Sequence, residues 1–117
     1  MQFRQAIAQA DALRPNMIDE PIKAEWLYQL ECDFAEMMKA ELSSNPWLNG
    51  GEDSELLMPS PHDRAYVLYL CAMIDNAQQE TALYANDMEM ANSAISAAKA
   101  WWRRNNRPAG GERFRVM

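Results

Sequence analysis

A chain of 117 residues with 49% hydrophobic and 24% charged residues suits one folded domain; it argues against a two-domain enzyme and against intrinsic disorder. The net charge of -6 is unevenly spread, since residues 1 to 102 hold six Lys/Arg against sixteen Asp/Glu while residues 103 to 117 hold five Arg against one Glu. An acidic body makes a poor general nucleic-acid binder, because duplex affinity comes largely from displacing counterions with basic side chains. Cys32 and Cys71 show no metal or CxxC spacing and read as buried free thiols of a reducing cytosol. The first residues lack a charged segment leading into an apolar one, so no secretion signal is expected. The run Ala65 to Ile74 is about half of the ~20 residues a membrane span needs, and no membrane contact is expected.

Phe3, Ile7, Ala10 and Leu13 fall at spacings of three or four and predict a first helix, closed by Arg14-Pro15. Asp19-Glu20-Pro21 opens a second helix near residue 20. Its apolar positions Trp26, Leu27, Leu30, Phe34, Met37 and Met38 continue to an expected end near Leu42, with Glu25, Glu31, Asp33, Glu36 and Lys39 toward water. Ser43 to Ser60 contains Pro46, Gly50, Gly51 and Pro59 and predicts a long irregular loop, part of which packs through Trp47, Leu48 and Leu56-Leu57-Met58.

Ser60-Pro61-His62-Asp63 reads as a helix start with Ser60 as N-cap and Pro61 in the first position. The third helix, through Tyr66, Val67, Tyr69, Leu70, Met73 and Ile74, should be the most enclosed. A fourth helix carries two adjoining stripes, Tyr84, Met88, Ala91, Ile95, Ala98, Trp102 and Leu83, Met90, Ala94, Ala97, Trp101. A single rod from Pro61 to Arg104 would span roughly 66 Å, so a hairpin turning within residues 75 to 81 is expected. Since one face suffices for packing in a small bundle, the second stripe predicts an oligomer or partner contact at Ala91, Ala94, Ala98, Trp101 and Trp102, with Trp47, Leu56 and Leu57 reaching a neighbour.

No catalytic constellation emerges. His62 is the one histidine and sits at a helix start without partners at ligand spacing. The pairs Glu31/Asp33 and Asp87/Glu89 point to different azimuths and read as solvated faces. Gly50-Gly51 and Gly110-Gly111 lack the strand, lysine and helix of a phosphate loop, and no cofactor or metal is expected. The basic end, with Arg103, Arg104, Arg107, Arg113 and Arg115 around Phe114, has two readings: a solvated helix terminus, or an arm meeting DNA phosphates or an acidic partner surface.

The pattern resembles the small helical head-tail connector proteins, also called head-completion or adaptor proteins, of tailed bacteriophages and prophages. The likeness covers most of residues 7 to 104. Asp11-Ala12-Leu13-Arg14-Pro15-Asn16 looks like the end of that family's first helix, and Lys23, Trp26-Leu27 and Leu30 like its second. Leu56-Leu57-Met58-Pro59-Ser60-Pro61-His62-Asp63, followed by Tyr66, Tyr69-Leu70 and Met73-Ile74-Asp75, is the most specific stretch. Tyr84-Ala85-Asn86-Asp87 and Trp101-Trp102-Arg103-Arg104 are similar to the last helix. This chain has His62 where the family often carries an aromatic residue, and Gln78-Gln79 where it often carries Asn-Gly.

The resemblance implies a nonenzymatic subunit of a ring below the portal vertex of the DNA-filled head. Its partners would be copies of itself, the portal protein, and a tail or head-closure protein, while contact with packaged DNA is the reading of the basic C-terminal arm from its own residues. It would reside in the virion after assembly in the bacterial host cytoplasm. The runner-up is a small helical DNA-binding or regulatory protein using the basic tail; an enzyme built on His62 ranks third. The expected fold is all-α: a bundle of about four helices spanning residues 1–107, with helices three and four antiparallel and a long irregular loop before helix three. A basic, flexible tail over residues 108–117 would follow.

Overall fold

The computed structural model describes residues 1–42 and 54–106, and these form a bundle of four helices. They are α1 (Phe3–Leu13), α2 (Glu20–Met38), α3 (Arg64–Ala77) and α4 (Thr81–Asn105). Trp47 and the other residues of 43–53, together with the tail from Arg107 onward, lie outside the described residues.

At the start of α1, the Gln2 amide donates to Gln5 Oε1 at 2.8 Å, which satisfies a backbone donor beside the first turn. Phe3, Ile7 and Ala10 enter the core with Ala6, whereas Leu13, expected on the same stripe, is 57% exposed where the helix runs out. The second helix begins at Glu20 as expected but ends at Met38, four residues short of Leu42. Lys39 adopts a left-handed conformation at φ 58°, its amide bonds Glu36 O at 3.3 Å, and the Ala40 amide reaches Ala35 O at 2.9 Å. That pair of reversed bonds takes up two of the free carbonyls of the last turn, Ala35 and Glu36, and ends the helix with lysine in a place usually held by glycine.

Residues 54–58 run against the N-terminal segment. The Phe3 amide donates to Ser54 O and the Leu56 amide to Met1 O, each at 2.9 Å, around an antiparallel bridge between Gln2 and Glu55. The third helix starts at Arg64 rather than Pro61, and Ser60 is not its cap. Residues 59–63 are held in a turn, with the His62 amide on Pro59 O, and the Ser60-Pro61 peptide bond is cis.

Eight of the fourteen residues of α3 are buried, against seven of nineteen in α2 and three of twenty-five in α4. The third helix is thus the central strut. Phe34 meets Tyr66 edge-on with ring centroids 5.4 Å apart, and Leu27, Leu30, Met58, Leu70 and Ile74 fill the space around them. Between α3 and α4 the chain reverses through Gln78–Glu80, where Gln79 takes φ 61° and the Glu80 amide donates to Asp75 O at 2.9 Å. The two helices pack closely and antiparallel, with His62 beside Trp101 at one end and Asp75 beside Asp87 at the other.

Candidate functional site

The fourth helix is the longest and buries three of its twenty-five residues. It turns Asp87, Ala91 and Ala98 inward at spacings of four and seven, and the small side chains let the α3 and α4 backbones approach. Ala94, Ile95 and Trp101 lie half-buried at the margin of the core. On the outer side Leu83 is 43% and Met90 42% exposed, and Ala97 is exposed between exposed Ser96 and buried Ala98.

Of the residues expected at a partner contact, Ala91, Ala98 and Leu56 are used inside the monomer, at 0%, 0% and 6% exposure. Leu57 is half-buried and its amide donates to Glu31 Oε2 at 2.8 Å. Ala94, Trp101 and Trp102 keep part of their surface open. Arg103 and Arg104 are exposed in the last turn, where positive charge suits the negative end of the helix dipole. Arg107, Arg113 and Arg115, like Trp47, fall outside the described residues. Leu83 and Met90, which the sequence placed only as part of a stripe, are the large apolar side chains that α4 leaves exposed.

Between the start of α3 and the middle of α4 lies an open cavity of about 480 Å³, with Leu68, Met90 and Ala94 on its apolar wall and Arg64, Asn86 and Glu89 around it. His62 borders it and lies against Trp101, ring centroids 4.9 Å apart and planes tilted by 32°. The ring contact fixes the entrance of α3 to the end of α4. Among the described residues, Glu89 is the carboxylate that lines this cavity.

Two acids assigned to solvated faces are buried instead: Glu31 at 4% exposure and Asp87 at 4%. Glu31 Oε1 accepts from the Tyr66 hydroxyl at 2.6 Å, and that hydroxyl in turn accepts from the Met58 amide at 2.9 Å. Burial raises the Glu31 carboxyl above its ordinary range, while the bonds from Tyr66 and Leu57 pull it back. Asp87 Oδ2 takes two bonds from Arg14, at 2.8 and 3.1 Å. Lys23, also buried, grips both oxygens of Asp11 at 2.8 and 2.9 Å. No periodicity signals these pairs, because each joins elements distant in sequence; the local signal was limited to acids standing within otherwise apolar helices.

Among the described residues no group of three or more His, Cys, Asp or Glu side chains is placed to hold a metal ion, and no helix is long and apolar enough to cross a membrane. Cys71 is buried and its thiol is pushed up to about 11 by desolvation, with Arg14 opposing. The described surface of α4 presents outward Leu83 and Met90, a mixed groove beside them, and two arginines at its end. Comparison with protein-family models, curated proteins and solved structures returns no match to this chain.

Proposed function

We propose that this chain is a nonenzymatic structural subunit of a phage or prophage head-tail connector ring, linking the portal vertex of the DNA-filled head to the tail. The observation that carries the reading is the economy of α4, which buries three of its twenty-five residues while Leu83 and Met90 remain more than 40% open. Exposed apolar area on a helix so long is suited to receiving another chain. The resemblance of residues 56–75 and of Trp101-Trp102-Arg103-Arg104 to the connector family points the same way. On this reading copies of the chain meet along α4, portal and tail or head-closure proteins meet the two faces of the ring, and Arg103 and Arg104 face acidic neighbours or packaged DNA. The protein would assemble in the host cytoplasm and end in the virion.

Electron microscopy and sedimentation of the purified chain, alone and with portal-bearing heads, test the proposal. Ring formation or capture on heads, lost in Leu83→Asp and Met90→Asp while circular dichroism is unchanged, supports it. A wild-type chain that stays monomeric alone and ignores portal-bearing heads overturns it. Strong duplex binding with a steep salt slope would favour the DNA-binding alternative.

A further inference from the structure

Three helices bring charge to one buried point. Arg14 at the end of α1 directs Nη2 and Nε to Asp87 Oδ2 on α4, at 2.8 and 3.1 Å. Asp75, at the end of α3, is 1% exposed, and Arg14 Nε stands 3.2 Å from its Oδ1. That is ion-pair distance, yet neither Asp75 oxygen receives a hydrogen bond among the described residues, because the guanidinium N–H groups are aimed at Asp87. One partly exposed cation therefore serves two buried carboxylates.

Among the described residues, Arg14 is the one cation acting on Asp75. On α1, Asp11 adds negative charge, and on α2 the ammonium of Lys23 is taken up by Asp11 and Asn16. On α3 itself the nearest titratable group is Cys71, a thiol rather than a thiolate. A buried carboxylate lacking donors is costly, and a proton removes the cost in two ways. It neutralises Asp75, and its O–H can donate to the carboxylate of Asp87, against which Asp75 packs.

We infer that Arg14, Asp75 and Asp87 form a proton-operated latch that holds the α3/α4 hairpin against the end of α1 when Asp75 is protonated and loosens it when Asp75 is charged. The electrostatics agree: desolvation first, then Asp87, push the Asp75 carboxyl up to about 6, while Arg14 pulls the other way. In an opened hairpin Asp75 meets water and returns toward its ordinary value of 3.8. The closed form thus holds the proton more tightly. Its stabilisation is complete below pH 3.8, declines as pH rises toward 6, and is gone above that. The opening should be local, because Gln78–Leu83, Ala85 and Asn86 are exposed and, beside the charge cluster, the bond from Gln78 Nε2 to Pro15 O at 3.2 Å is what ties the described turn to the end of α1.

Hydrogen exchange of the amides of residues 80–90, corrected for intrinsic rates, measures the opening. One-proton linkage predicts an opening constant about twentyfold larger at pH 7 than at pH 4.5 in the wild type. Asp75→Asn should abolish that change, whereas Glu31→Gln, which removes a second buried acid elsewhere, should keep it. A flat wild-type profile, or an Asp75→Asn profile parallel to it, overturns the latch. Should Asp75→Asn fail to fold, carbon NMR titration of the wild-type Asp75 carboxyl decides: a midpoint near 6 supports the inference and one near 3.8 refutes it.

Discussion

The Tyr66 hydroxyl donates a 2.6 Å hydrogen bond to Glu31 Oε1, and both groups are buried. Through Met58 and Leu57, whose amides complete the network, this pair fastens the irregular stretch before α3 to both α2 and α3. Tyr66→Phe keeps the ring packing against Phe34 but orphans a carboxylate oxygen and an amide. It should cost about 1 to 3 kcal/mol in urea unfolding, and a change under a few tenths would show that the network carries no weight.

Gln79 and Lys39 occupy left-handed backbone at φ 61° and 58°. Replacing either by glycine removes a clash between Cβ and backbone and should raise stability by about 1 kcal/mol, read as an upward shift of the thermal midpoint. Gln79→Ala, which keeps the Cβ, should bring no such gain.

Adjacent alanines on α4 should answer oppositely to enlargement. Ala98 is fully buried against α3, so Ala98→Leu overpacks the helix contact and should cost about 1 to 3 kcal/mol. Ala97 is exposed, and Ala97→Leu should stay within about 0.5 kcal/mol in a monomer. Equal losses at both positions would contradict the observed orientation of α4.

The two thiols should separate under alkylation at pH 8. Cys32 is half-buried, while Cys71 is buried and raised to about 11, so its thiolate fraction is small. Mass spectrometry should show Cys32 labelled in the folded protein and Cys71 labelled only on unfolding.

Apolar spacing made the four helices legible, and the arithmetic of an overlong rod made the reversal near Gln79 legible too. The same spacing could show that α4 is apolar around much of its circumference, yet not that Ala91 and Ala98 face inward while Met90 and Ala97 face out. That choice depends on which stripe α3 selects. Early termination of α2 was hidden because Lys39 is an unusual left-handed residue. The late start of α3 was hidden because Ser60-Pro61 fits a cap and first turn equally well in sequence. Glu31, Lys23, Asp75 and Asp87 were least legible, since a buried charge is defined by a partner that local pattern does not contain.

Gln2 pairs with Glu55 across two short extended segments. These short extended segments satisfy each other's backbone groups, with Phe3 on Ser54 and Leu56 on Met1. Trimming residues 1–3 would do more than shorten α1: it would strip the Ser54 carbonyl and the amide of buried Leu56 of their partners, and so loosen the segment that delivers Met58 to the core.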